Sequence, residues 1–319
     1  MKKFFAVALA AAMTASLAAC GSSNTETTAA ETAETTESAA DSESTEEAEA
    51  VETVTPGKLT VATSPDFAPY EFYAIDENGD PHLAGFDISL VQYIADYMGL
   101  ELEIIPMDFD GTIMELSQGN VDLGVAGYSP SPDRADVMDF SDIYFKDGQS
   151  FICLKDNADK FKTLEDTNNA DITISAQTGA IQVDLAKKYS PDANLIEMAK
   201  VTDIIAELVS GKIDGAYVET AVAQSYAKNY PEIDVLLDVP YDEAGSAVGV
   251  KKGNEPLLKA VNEAIRQCTE SGEFDDYVAQ ANELASGEIK EGLLEDEAAA
   301  TDDAEEESAD TEEETAESK

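Results

Sequence analysis

"LSQGNVDLGVAG" (residues 116–127) returns 92 residues later as "LVSGKIDGAYVE" (208–219). The two stretches share Leu, Gly, a β-branched residue and Asp at matching offsets. Each reads as the end of a helix, a glycine stop and an apolar strand. A repeated unit of this kind predicts two similar α/β lobes, each with a corresponding strand that leads to a corresponding loop.

Working outward, strands and helices alternate. "KLTVATS" (58–64), "LEIIPM" (102–107), "SFICLK" (150–155), "DITISAQ" (171–177) and "NLIEMA" (194–199) are strand-like. "GTIMELSQG" (111–119), "AIQVDLAKKY" (180–189), "VTDIIAELVSG" (201–211) and "AVAQSYAKNY" (221–230) are helical. "FDISLVQYIADYMG" (86–99) predicts a helix with Ile88, Val91, Ala95 and Met98 on one face and Asp87 as its cap. The alternation predicts α/β units around mostly parallel sheets.

Charge is lopsided: 19 Lys plus Arg stand against 67 Asp plus Glu, and the net charge is −48. Nucleic acid and anionic membrane surfaces are poor partners for such a chain. Residues 21–57 hold ten acids and no base, and 291–319 hold fourteen acids and one base. Neither segment has enough apolar surface to order itself, so both are expected to be disordered. Before them, "MKKFFAVALAAAMTASLAAC" (1–20) has the layout of a signal peptide, too short for a membrane span. Its ending resembles a bacterial lipobox, which makes Cys20 the expected lipid anchor. Cys153 and Cys268 remain, free or bonded. One histidine, His82, and no CxxC give no support to a metal site.

Only two arginines occur, Arg134 and Arg266. Arg134 sits in "YSPSPDR", the loop after the first repeated strand, together with Ser129. The second repeated strand ends in Glu219. Ligands of open α/β sheets bind beyond the carboxyl ends of the strands. Two facing lobes would therefore set a guanidinium and a hydroxyl against a carboxylate, a pairing that suits the zwitterion of an α-amino acid. The residues alone leave other readings open: an ion pair of Arg134 with Asp133 or Asp136, and a helix-capping role for Glu219.

"TSPDFAPYEF", "GFDISLVQYIADYMG", "MDFDGTIMEL" and "PSPDRADVMDFSDIYF" together resemble the polar amino acid-binding proteins of ABC importers, solute-binding protein family 3. The resemblance implies the type II periplasmic-binding fold, two α/β lobes joined by a two-crossing hinge. Lobe 1 is then 57–147 completed by 241–290, lobe 2 is 148–240, and the crossings lie near Phe145–Ser150 and Leu237–Asp242. It also implies a monomeric lipoprotein on the extracytoplasmic face of the cell membrane. Such a protein carries a free L-amino acid to permease subunits and needs no cofactor.

By the same resemblance Phe67 and Phe109 wall the ligand, and Gly127 and Ser129 contact it through backbone or hydroxyl groups. Arg134 clamps its carboxylate, helped by the N–H groups of Ile181 and Gln182 at a helix start. Glu219 accepts its ammonium. Glu219 and Ile181 stand where many members have Asp and Thr. Ser64 stands where binders of basic amino acids often carry an acid, which weighs against Lys or Arg as the ligand; the acidic chain weighs the other way. Two runner-up functions are a sensory module without transport and a dehydratase-like enzyme. The second lacks a visible nucleophile–base pair.

Overall fold

The computed structural model describes residues 51–76, 78–242 and 245–287. Cys20, the signal peptide and the segment 291–319 lie outside the described residues.

The first repeated unit builds one five-stranded sheet. Strand β1 (Lys58–Thr63) pairs in parallel with β5 (Glu101–Pro106) on one side and β6 (Leu123–Gly124) on the other. β13 (Gly249–Lys251) and β7 (Met138–Phe140) complete the order β5-β1-β6-β13-β7. The second sheet repeats the plan as β10-β9-β11-β8-β12, formed by β8 (Gln149–Leu154), β9 (Thr173–Gln177), β10 (Asn194–Met198), β11 (Gly215–Glu219) and β12 (Ile233–Val239). A short hairpin sheet of β2 (Asp66–Phe67), β3 (Glu71–Ile75) and β4 (Pro81–Ala84) follows β1. His82, expected in a loop, lies exposed in β4 and pairs with Ala74.

The quoted repeat is a true structural correspondence. Gly119 and Gly211 both take a positive φ, 77° and 73°, a conformation that costs glycine nothing. Each follows a helix, α2 (Phe109–Gln118) and α5 (Val201–Val209), and β6 and β11 each hold the middle of their sheet. The shared Asp has one job in both lobes. Asp122 accepts from the Thr60 N–H at 2.9 Å and returns its own N–H to the Thr60 carbonyl. Asp214 does the same with Thr173, at 3.0 Å.

The sheets are more mixed than expected. The fourth strand of each, β13 and β8, runs antiparallel to its neighbours. These are the strands that begin just after the chain crosses between the halves, so they enter the sheet from the opposite direction. The crossings pair through a bridge between Phe145 and Ser246. The second crossing begins at Pro240, because β12 continues to Val239.

Helix α1 (Phe86–Met98) also departs from expectation. Its buried face is Phe86, Asp87, Leu90, Val91, Ile94 and Ala95, while Ile88 and Met98 are only half-buried. Gly85 occupies the cap position and Asp87 does not cap. The acid points inward because it holds a backbone group of the site described below. α7 (Glu255–Ser271) and α8 (Glu273–Leu284) pack on α1 and complete the first lobe. α3 (Pro132–Ala135), α4 (Ile181–Tyr189) and α6 (Thr220–Asn229) complete the helices.

Residues 52–54, expected within the tether, bond to the first lobe. The Val54 N–H donates to Asp122 at 2.7 Å, and Asn254 donates to the Glu52 carbonyl at 3.0 Å. Cys153 and Cys268 are both free and buried. One core cluster runs through both halves, from Leu59 and Ile94 to Ile204, Val218 and Tyr226.

Candidate functional site

Helix α3 turns on "SPDR". Ser131 accepts the Arg134 N–H and Pro132 sits at the helix start, where its missing N–H is harmless. This single turn tips the Arg134 side chain inward, to 8 % exposure. Its Nη1 donates to the Ser129 carbonyl at 2.9 Å, and Nη2 donates across the cleft to the Gly179 carbonyl at 3.0 Å. The guanidinium carbon lies 5.4 Å from the Phe109 ring centre and 5.9 Å from that of Tyr128. Among the described residues no carboxylate bonds to it, so neither Asp133 nor Asp136 is its ion-pair partner. Burial lowers its pKa, and the charges of Asp184 and Glu219 act weakly against that.

Opposite stands Glu219, the last residue of β11, 2 % exposed. It holds the position before α6 where a cap would sit, yet its side chain makes no capping bond. Instead Oε1 accepts the Tyr70 hydroxyl at 2.6 Å from the other lobe. Burial pushes the carboxyl up to about 8; the Tyr70 bond opposes this and the Asp147 charge adds to it. Strand pairing sets Gln149 beside Glu219, and Gln149 Oε1 accepts from Gln182 Nε2 at 2.7 Å.

Gly127 has φ 56°, and a Cβ there would meet the Phe67 ring at 2.9 Å, so only glycine fits under that ring. Its N–H donates to Asp87 Oδ2 at 3.0 Å, which leaves the carbonyl oxygen as its free polar group. Burial raises the Asp87 carboxyl to about 6, and Glu71 beside it rises further. On the second lobe, Ala180 precedes α4 and supplies no capping side chain. The first-turn N–H groups at Ile181 and Gln182 are therefore open to an anion.

All eight expected residues, Phe67, Phe109, Gly127, Ser129, Arg134, Ile181, Gln182 and Glu219, line one cavity. Ala126, Gln177 and Ala180 complete it. It leaves about 10 Å³ of free space, room for a single water, against about 760 Å³ for the surface groove along α1 and α8. Chemistry rather than size marks the site: the smaller cavity holds a buried cation, a buried carboxyl and a bare helix start. As site residues, Tyr70, Asp87 and Gln149 escaped the sequence reading, because each holds a cavity-lining residue from a distant part of the chain.

Residues 59–281 match the family described as bacterial extracellular solute-binding proteins, family 3. The chain belongs to that family. This solute-binding protein is 31% identical over 279 residues to the arginine-binding extracellular protein ArtP of Bacillus subtilis, which covers 86% of this chain and 96% of ArtP. Among solved structures it superposes on an amino acid ABC transporter substrate-binding protein, AbpA of Streptococcus pneumoniae, bound to L-arginine. There the TM-score is 0.70, with 32% identity over 73% of this chain and 97% of that one. A cyclohexadienyl dehydratase of Pseudomonas aeruginosa is 25% identical over 68% of this chain and 79% of its own length. The extracytoplasmic address follows from the family. No helix of the described residues is long and apolar enough to cross a membrane.

Proposed function

We propose that this solute-binding protein holds an L-amino acid between its lobes and delivers it to an ABC importer from the outer face of the cell membrane, anchored through lipid on Cys20. The observation that carries the ligand class is Arg134. A buried guanidinium that stacks on Phe109 and bonds only to carbonyls calls for an anion. A carboxylate placed there also reaches the first-turn N–H groups of α4. The ligand's ammonium then faces Glu219, with the Gly127 carbonyl as a second acceptor.

The surroundings disfavour an acidic side chain. Asp184 and Glu219 act on Arg134, Asp108 acts on Asp66, and Asp110 lies against Gly179. ArtP and AbpA make L-arginine the first ligand to try. The test is a thermal-shift screen of the protein against the twenty amino acids, since a ligand that binds only the folded state raises Tm. Stabilisation by at least one amino acid supports the reading; none at millimolar concentration rejects it.

A further inference from the structure

Helix α5 begins with a bare N-terminus: Lys200 holds the cap position and its side chain makes no capping bond. The acceptor comes from the other lobe. Asp66 Oδ2, on the first residue of β2, accepts the Val201 N–H at 2.5 Å and Gln177 Nε2 at 3.1 Å. The Asp66 carbonyl accepts the Tyr226 hydroxyl at 3.0 Å, and Ser64 holds Oδ1 within lobe 1 at 2.9 Å. One residue of lobe 1 thus makes three bonds to lobe 2, and it lies outside the cavity lining. It stands 5 % exposed.

We propose that Asp66 is a positioning residue for ligand capture, a helix cap supplied from the opposite lobe that latches the closed state without touching the ligand. Separating the lobes strips α5 of its cap and leaves a first-turn N–H unpaired, so closure gains a contribution that is the same for every ligand. The amino acid reading supplies the ligands, but the latch itself rests on the lobe contacts alone.

The test combines calorimetry with L-arginine and L-glutamine and an interlobe distance from spin labels at exposed Asp133 and Lys188. Asp66→Ala is expected to weaken both amino acids by the same factor, about tenfold, in the range of a helix-cap loss. The loss should appear as faster release, and without amino acid the label distances should shift longer. Asp66→Asn keeps an acceptor for the Val201 N–H and should stay within about threefold of the parent. Val201→Pro removes the donor at a position where proline fits a helix and should mimic Asp66→Ala; it decides the matter should Asp66→Ala not fold. Unchanged distances overturn the latch, as do unchanged affinities or a loss confined to one amino acid. If the parent binds neither, calorimetry uses the two amino acids that stabilise it most; if none of the twenty binds, the ligand reading fails while the distances still judge the latch.

Discussion

The Tyr70 hydroxyl lies 2.6 Å from Glu219 Oε1, joining residues 149 positions apart in the chain and on opposite lobes. Ser246, on the second crossing, reaches the same hydroxyl at 3.4 Å. Tyr70 is fully buried among Phe67, Phe86 and Phe145, so its ring is fixed and its hydroxyl has one place to point. In the closed cleft the proposed ammonium acceptor is therefore fixed in one position.

Tyr70→Phe keeps the packing and removes that donor. A hydrogen bond to a charged group contributes about 1.5–3 kcal/mol. Affinity for the bound amino acid should fall about tenfold or more, with Tm little changed. Isothermal titration of the variant checks this; an unchanged Kd would free Glu219 from Tyr70.

Arg134→Ala should nearly abolish binding. Truncating one member of a buried charge pair costs about 2–5 kcal/mol, on the order of 30-fold to a few thousand-fold in Kd. Arg134→Lys should not restore it, because a point charge cannot reproduce the planar fork. Melting of the ligand-free protein should change little, since among the described residues Arg134 has no carboxylate to leave stranded. An Arg134→Ala protein that binds within threefold of the parent removes Arg134 from the site.

The pH dependence has a definite sign. Burial raises Glu219 to about 8, so the folded protein holds a proton there that the unfolded chain gives up near its ordinary value. That contribution is complete below the ordinary glutamate range and is lost as pH rises through about 8. Asp66 and Asp87, raised to about 6 by burial, act in the same direction over a lower window. Ligand-free Tm should therefore fall from pH 5 to pH 8, and Glu219→Gln should flatten the upper part of that fall. A ligand ammonium favours the ionised carboxylate, so amino acid affinity should rise over the same window. Tm and Kd measured at pH 5, 6, 7 and 8 test both.

Cys153 and Cys268 sit in separate core clusters, and burial pushes both thiols up to about 11. Neither should react with an aromatic disulfide reagent at pH 8 unless the protein is unfolded, because the thiolate is the reacting form. A reducing agent should leave Tm unchanged. Fast labelling of the native protein contradicts this burial.

The repeat at 116–127 and 208–219 exposed the architecture because the Gly stop and the Asp that ties strand to strand are local demands, met the same way twice. Of the cavity lining, Ser129, Arg134 and Glu219 were legible from the residues themselves, because each sits at or just after the end of a repeated strand, whereas Phe67, Phe109, Gly127, Ile181 and Gln182 came only through the resemblance to the family. The supports were not legible. Asp66, Tyr70 and Asp87 meet their cross-chain partners 135, 149 and 40 residues away, and no local pattern announces such pairs. Asp87 even read as a cap, since an acid one residue into a helix ordinarily serves that purpose. β13 is three residues long, and its antiparallel direction follows from the hinge rather than from "GVK".

The central claim is that Arg134 and Glu219 together read the two charges of an α-amino acid. Its most direct test is titration calorimetry of the unaltered protein with the amino acid that stabilises it most, beside the same molecule lacking only the amino group. The account predicts that the parent binds and that the deaminated analogue shows no heat of binding at millimolar concentration. An analogue that binds as tightly as its parent would contradict it and leave Glu219 without a ligand to hold.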